Sequence, residues 1–133
     1  MTASWGGVGV LWGKKCCHNL HSPAALHKRV RGCTRCVYNY IFGENCREAL
    51  ALCGKVSGRD GDKIKEAGLT PYFVDGTTAF EEAEMIFVCR KLYADEIKPE
   101  KFIATENDAR WYPEKDYHTM YIAEITKVLV KEA

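Results

Sequence analysis

The segment from Lys14 to Phe42 concentrates the side chains that could bind a metal ion. It holds four of the seven cysteines and three of the four histidines, and it has no acidic residue. Zinc prefers four sulfur or nitrogen ligands in a tetrahedron. The spacing would let Cys33 and Cys36 bind one edge of such a site, and Cys17 and His21 the other. A small zinc-binding interaction module is therefore one hypothesis.

Other features of this segment favour a different interpretation. Apart from Gly32, it lacks the turn chemistry typical of a zinc knuckle. Its basic run from Lys28 to Arg31 has no interleaved aromatic residues and is too short to hold a protein on DNA, so we expect no nucleic-acid partner. A strand, a turn and a second strand are the favoured structure.

The composition bounds the protein class. A length of 133 residues is typical of one domain, and 47% hydrophobic with 28% charged residues is typical of a globular protein. A net charge of +1 predicts neither a nucleic-acid nor a membrane partner. No apolar run approaches the roughly 20 residues that span a bilayer. No basic region precedes the apolar start, as it would in a signal peptide. We expect a cytoplasmic protein with reduced thiols and no bound metal.

The remaining sequence predicts a β-rich α+β domain. Strands are expected at residues 2–12, 69–74, 84–93 and 117–130. Helices are expected at 44–54 and 57–68, with Ser57 as the N-cap of the second and with Gly54 and Gly68 ending the two. Residues 98–110 are expected to form a loop or a single helical turn. In the last strand, Met120, Ile122 and Val128 share one face, and Tyr121, Ile125 and Leu129 share the other.

Three stretches outside the Lys14–Phe42 segment resemble one family in order and spacing. They read MTASWGGVGVLWGK, then CGKVSGRDGDKIKEAGLTP, then FEEAEMIFVCRKLYADEI followed by YPEKDYHTMYIAEITKVLVKE. The chain resembles the flavin reductase-like, FMN-binding split-barrel proteins related to flavoredoxin over residues 1–14 and 44–133. The resemblance implies a single domain over residues 1–133 with a Greek-key split β-barrel and short helices. Residues 15–42 depart from the family pattern, so the barrel is expected to be incomplete.

The resemblance also implies a cofactor and partners. Relatives hold FMN non-covalently, commonly at a homodimer interface. They pass reducing equivalents from NAD(P)H to flavin or onward to an acceptor. In such proteins the flavin carries the redox chemistry, and the protein positions and tunes it. An FMN-binding electron carrier without reductase activity is the alternative within the same family.

The family's site residues map onto two parts of this chain. The Gly-containing strand at residues 2–6 can lie close to the flat isoalloxazine ring. The start of the predicted helix at Ser57 can favour the phosphate anion. The catalytic candidate is His118, as a donor near the flavin or nicotinamide. Each assignment has a plainer alternative: Trp5 as a core aromatic, the 57–63 stretch as a capped surface helix, and His118 as a surface residue. The cofactor-binding candidates are Thr2, Ala3, Ser4, Trp5, Ser57, Gly58, Arg59 and Lys63.

The family has an R-P-x-R-Y-T turn between its first two motifs, and its arginines bind the phosphate. This chain has no such turn. Back-translated and shifted by one base, however, residues 16–42 permit VATIYIRPQRYTKEFVDARDVFTITF, which contains the turn and alternates like two strands. We therefore interpret residues 15–42 as the product of two compensating frameshifts, near codons 14–15 and 41–42. Met1 is interpreted as an internal methionine of the family sequence.

This interpretation predicts that the chain as written binds FMN poorly or not at all. It lacks both phosphate arginines and is expected to lose the alternation of two central strands. It also gains four basic residues where the family has core positions, and an uncompensated buried charge is strongly unfavourable. These residues are Lys28, Arg29, Arg31 and Arg35.

Overall fold

A computed structural model describes residues 5–22, 36–57, 59, 61–74 and 77–132, without the side chains of Val37 and Thr77. Seven strands and three α-helices account for most of these residues. The strands are β1 Gly6–Leu11, β2 Lys14–His21, β3 Cys36–Phe42, β4 Pro71–Val74, β5 Thr77–Phe80, β6 Ala83–Glu96 and β7 Thr119–Val130. The helices are α1 Arg47–Lys55, α2 Lys63–Glu66 and α3 Glu106–Trp111, with 3₁₀ turns at Glu44–Cys46 and Pro99–Lys101.

Five strands form one antiparallel sheet in the order β1-β2-β7-β6-β3, and β4 and β5 form a separate hairpin. The β-rich α+β class is thus confirmed. β1 and β3 are the sheet's edges across the described ranges, and no pairing between them closes the sheet into a barrel. β6 and β7 are the longest strands, with 14 and 12 residues, and they lie together at the centre.

The two strands that the sequence predicts within the Lys14–Phe42 segment are present as β2 and β3. We expected residues 15–42 to lose the alternation of these strands. β2 forms nonetheless, with two adjacent buried residues rather than a strict alternation of buried and exposed side chains. Cys16 and Cys17 are 4% and 3% exposed in β2, because small thiols pack as apolar groups. Lys14 avoids the core by pairing with Glu124 at 2.8 Å. The four basic residues expected at core positions lie outside the described residues.

Cysteine and alanine supply much of the buried core. Cys17, Cys89 and Ala123 form one buried cluster, against which Phe87 and Ile125 pack. A second cluster contains Ala79, Ala83 and Ile86, partly covered by aromatic residues of β3. The prediction that Cys46, Cys53 and Cys89 are core residues is confirmed by their exposures of 6%, 8% and 0%.

β7 follows the predicted period-two pattern in its first half. In β7 the face of Tyr121 points inward and is continued by Ala123, while Val128 on the other face is 46% exposed. Register shifts between Val88 and Cys89 and between Lys91 and Tyr93 mark bulges in the pairing of β6 with β7. Such bulges bend and twist long strands. Within the predicted strand at residues 2–12, β1 spans Gly6–Leu11, and a Cβ at Gly6 would collide with the carbonyl oxygen of His18.

The helix ends differ in part from the sequence-based expectation. α1 continues through Gly54 and ends at Lys55, so Gly54 is not its C′ residue. Asp62, not Ser57, caps α2, since its carboxylate accepts a hydrogen bond from the backbone of Lys65. The predicted end at Gly68 is confirmed by a φ of +66°, a conformation that glycine adopts without strain. Among the described residues, no helix has both the length and the apolar character needed to cross a bilayer.

Candidate functional site

Four aromatic side chains from distant parts of the sequence meet beside the start of β1. Trp5 directly precedes β1, and its carbonyl oxygen accepts a hydrogen bond from the backbone of Leu20 at 3.1 Å. His118 directly precedes β7, and its carbonyl oxygen accepts one from Ile97 at 2.9 Å. The two rings are therefore held by extensions of the sheet. The other two aromatic residues are Trp111, which ends α3, and Tyr112, which follows it.

The ring geometry defines a compact cluster around Trp5. Its indole stacks on the imidazole of His118, with centroids 4.6 Å apart and planes inclined by 30°. Trp111 and Tyr112 meet the same indole edge to face, at 5.5 Å and 6.3 Å. Tyr112 also meets His118 edge to face at 5.5 Å. Such arrangements suit the charge distribution of aromatic rings.

A largely apolar cavity of about 370 Å³ adjoins this cluster. Its volume lies within the range of small-molecule sites, which are commonly lined by aromatic residues with a few polar groups. A second cavity of about 360 Å³ shares the side chains of Ile97 and Phe102 with the first. The first cavity is lined by Trp5, Leu20, Ile97, Phe102, Asn107, Trp111 and Tyr112.

His118 is partly buried, and its side chain has unused hydrogen-bonding capacity. Burial lowers the pKa of His118, partly opposed by the negative charge of Asp116, so the ring is neutral at pH 7. Its Nδ1 atom and the neighbouring Thr119 Oγ1 are buried and have no hydrogen-bond partner in the described part of the chain. Buried polar atoms are normally satisfied, so a bound ligand or water would complete them. The surface-residue alternative for His118 is not supported.

Tyr112 is the most buried member of the cluster. It is 2% exposed, and burial raises the pKa of its hydroxyl. Its ring also contacts Phe102 at 6.1 Å and Tyr117 at 4.9 Å. One buried ring thus links the cavity wall at Phe102 to the segment that leads into β7.

Asp108 ties that segment back to α3. Its carboxylate accepts a hydrogen bond from Tyr117 at 2.8 Å and pairs with Lys115 at 2.7 Å. These two donors lower the pKa of Asp108. The backbone nitrogen of Tyr112 also donates to the carbonyl oxygen of Asp108 at 3.0 Å. The 112–118 segment is therefore fastened to one residue of the helix.

The second group of predicted cofactor residues lies at the turn between α1 and α2. Ser57 accepts a hydrogen bond from the backbone of Arg59 at 3.3 Å, and the side chain of Arg59 is exposed. Lys63 donates to the carbonyl oxygens of Cys53 and Val56 at 3.1 Å and 3.2 Å. These are the carbonyl groups at the end of α1, so Lys63 caps a helix. Thr2, Ala3, Ser4 and Gly58 lie outside the described residues.

The zinc hypothesis does not fit the described residues. Cys17 points into the core, where its sulfur lies 3.4 Å from that of Cys89 and accepts from Asn39 at 3.1 Å. His21 is four residues further along β2, roughly 13 Å away at about 3.3 Å per residue, and packs against Tyr121. The described part of the chain contains no group of three or more residues that could hold a metal ion. Cys33 lies outside it.

Sequence reasoning missed the cavity residues contributed by α3. Residues 98–110 were expected to form a loop or single turn, and α3 together with its aromatic end was not assigned to the site. The adjacent Trp111 and Tyr112, only a few residues before Tyr117 and His118, were the available signal. Ligand pockets are lined mainly by hydrophobic and aromatic side chains, so these residues could have been assigned to a site.

Comparisons with known proteins identify the fold. No protein-family model and no curated protein sequence matches the chain. Solved structures do match. An FMN-binding protein from Thermus thermophilus, crystallised with p-hydroxybenzaldehyde, is 16% identical, with a TM-score of 0.72 over 98% of this chain and 63% of its own. Flavoredoxin from Desulfovibrio vulgaris is 20% identical, with a TM-score of 0.72 over 98% of this chain and 60% of its own.

A third match has a split barrel in its description. This protein from Shewanella frigidimarina, assigned as a flavin reductase with a split barrel domain, is 12% identical, with a TM-score of 0.68 over 98% of this chain and 58% of its own. The chain spans about three fifths of the length of these structures. At such identities the likeness establishes the fold. The chain therefore has the fold of the FMN-binding, flavin reductase-like split-barrel proteins.

Proposed function

We propose that the protein is a flavin-binding oxidoreductase that holds FMN non-covalently and passes reducing equivalents between NAD(P)H, flavin and an acceptor. The observation that carries this proposal is an aromatic cavity of about 370 Å³ in a fold whose solved relatives include FMN-binding proteins. The bound flavin would supply the redox chemistry, and the chain would bind and orient it. A homodimer is part of the same proposal.

The ring end of the site fits a flavin. Isoalloxazine is flat and apolar with polar edges, and the cavity offers aromatic walls from Trp5, Trp111 and Tyr112. The buried Nδ1 of His118, whose ring belongs to the cluster, has no partner among the described side chains. A ring edge with donors and acceptors would satisfy such an atom. Trp5 thus remains our candidate for ring contact.

The phosphate end fits less well. The R-P-x-R-Y-T turn is absent, and Lys63 is occupied at the end of α1. Arg59 is exposed and remains the candidate for phosphate contact at this turn. Two charge-assisted contacts at about 1.5–3 kcal/mol each correspond to a loss on the order of 10²-fold or more in affinity. We therefore propose that ring contacts dominate and that FMN binds more weakly than micromolar.

We assign His118 a role in hydrogen bonding to the flavin or to the nicotinamide. Because burial lowers its pKa, the ring is neutral at pH 7, with one nitrogen able to donate and the other able to accept. The stack with Trp5 fixes the plane of the imidazole. A fixed, neutral imidazole can therefore hold a proton at a defined position without adding charge to the site.

An activity assay tests the redox part of the proposal. The protein is mixed with NADH or NADPH and with free FMN near the parent's dissociation constant, and absorbance at the nicotinamide band is followed. We expect oxidation above the protein-free rate, reduced in Trp5→Ala but not in Trp12→Ala. Flavin binding without nicotinamide oxidation would contradict the reductase activity and favour the FMN-binding electron carrier. Absence of both would overturn the flavoprotein proposal.

A further inference from the structure

We propose that Asp108 is a positioning residue that holds the 112–118 segment in place. Tyr112 and His118 then contact Trp5 in the geometry that receives a flavin ring. This inference rests on the proposed flavin site. It concerns how that site is organised before any ligand binds. The relevant contacts are those of Asp108 with Tyr117 and Lys115.

The first support is the placement of the contacts. Asp108 lies one turn before Trp111 in α3, while Tyr117 directly precedes His118. A bond between Asp108 and Tyr117 therefore joins the two ends of the segment that carries the cluster. The Asp108 side chain is 21% exposed and Tyr117 is part-buried, so water competes only in part for this bond.

The second support is backbone strain. Lys115 has a φ of +56°, a left-handed conformation that non-glycine residues rarely adopt. Strained residues persist where the surroundings fix them, and such residues cluster at binding sites. Here the Lys115 ammonium pairs with Asp108, and its backbone nitrogen donates to the carbonyl oxygen of Tyr112 at 3.1 Å. The Asp108 contact thus holds the turn in a shape that it would otherwise leave.

The strain allows positioning to be separated from stability. Lys115→Gly removes the cation that pairs with Asp108 but also relieves the left-handed strain, because glycine adopts positive φ freely. Its two effects on stability oppose each other. If the Asp108–Lys115 contact served stability alone, Lys115→Gly would leave the aromatic cluster unchanged whenever the melting temperature is unchanged. If the contact positions the segment, the packing of the aromatic cluster should weaken even at an unchanged melting temperature.

The test compares Asp108→Asn, Tyr117→Phe and Lys115→Gly with Glu114→Gln. The control removes a negative charge from an exposed side chain of the same segment. All are made in a Trp12→Phe background, so that the remaining tryptophans report on the cluster. The first readout is the near-UV circular dichroism of the ligand-free protein. The second is the affinity for lumiflavin, which has the ring but no phosphate.

We expect the three variants to lose near-UV signal and to bind lumiflavin on the order of tenfold more weakly, with Glu114→Gln unchanged. Lys115→Gly should do so without a lower melting temperature. Unchanged dichroism in Asp108→Asn and Tyr117→Phe would overturn the inference. If the parent protein binds no lumiflavin, the proposed function fails, whereas the dichroism of the ligand-free protein still decides the role of Asp108.

Discussion

The indole of Trp5 lies nearly face to face with the imidazole of His118, with their centroids 4.6 Å apart. The two residues are 113 positions apart in the chain, and each directly precedes a strand of the same sheet. β2 lies between those strands in the sheet. The two rings therefore stack across β2, beside the starts of β1 and β7. The contact links the beginning of the described chain to the last strand and supports Trp5, which lines the cavity of the proposed flavin site.

Replacement of His118 should change how stability depends on pH. Burial lowers the pKa of His118 below its ordinary value of 6.5, so the unfolded state binds more protons in the window just below that value. The free energy of unfolding should therefore fall as the pH drops from about 6.5 towards the folded-state pKa. His118→Asn should remove this component. The difference between parent and variant in urea titrations at several pH values measures it.

The matched control is His18→Asn, because His18 is exposed in β2. This variant controls for the loss of a histidine side chain as such. An unchanged slope in His118→Asn would contradict the burial of His118 as a neutral ring.

Lys63 should contribute to stability rather than to cofactor binding. Its ammonium donates to the carbonyl groups of Cys53 and Val56. Lys63→Met keeps the aliphatic part of the side chain and should lower the free energy of unfolding by about 0.5–1.5 kcal/mol. The affinity for FMN should stay within about twofold of the parent, since the cation is already occupied. Chemical denaturation and flavin titration of the same preparation check both, and a selective loss of FMN affinity would restore Lys63 to the site.

Arg59 should govern what preference the chain has for FMN over riboflavin. Its exposed guanidinium lies at the turn that the family resemblance assigns to flavin contact. An exposed ion pair contributes little, so we expect a preference below about tenfold for the parent. Arg59→Gln should bring the two affinities together, whereas Arg47→Gln, which removes another exposed arginine, should not. A preference for FMN that is unchanged in Arg59→Gln would contradict the assignment.

The elements with a strong period were predictable from the sequence, and the site was predictable only in part. β7 and the positive φ of Gly68 follow from side-chain alternation and from the conformational freedom of glycine. The choice between Ser57 and Asp62 as helix cap depends on where the backbone turns, which neither residue type decides. The role of Lys63 depends on the end of α1, a contact made only after folding.

Trp5 and His118 could be nominated separately, but their stacking could not. Their contact depends on sheet order, since β1 and β7 are neighbours of β2 and not of each other. α3 was missed because its six residues contain no helical apolar repeat, and short helices are stabilised mainly by packing. The burial of Cys16 and Cys17 in β2 could not be predicted from their type, because cysteines suit metal sites as well as narrow core positions.

The nucleotide sequence tests the origin of the Lys14–Phe42 segment. The frameshift hypothesis predicts one extra base near codons 14–15 and one missing base near codons 41–42. A gene restored to the shifted frame should encode the R-P-x-R-Y-T turn and should bind FMN more tightly than the present chain. Resequencing of the source DNA across both codon pairs checks this. An unbroken frame whose codons do not permit the shifted turn would contradict it.

The most direct measurement is a flavin titration of the chain as it stands, followed through quenching of flavin fluorescence, in parallel with Trp5→Ala and Trp12→Ala. Trp5 belongs to the cavity wall, whereas Trp12 is 59% exposed and contacts Tyr93. We predict saturable FMN binding weaker than micromolar in the parent, retained in Trp12→Ala and weakened on the order of tenfold or more in Trp5→Ala. Equal affinities in all three proteins, or no saturable binding in the parent, would contradict the proposed site, and micromolar or tighter binding would contradict the weakened phosphate end.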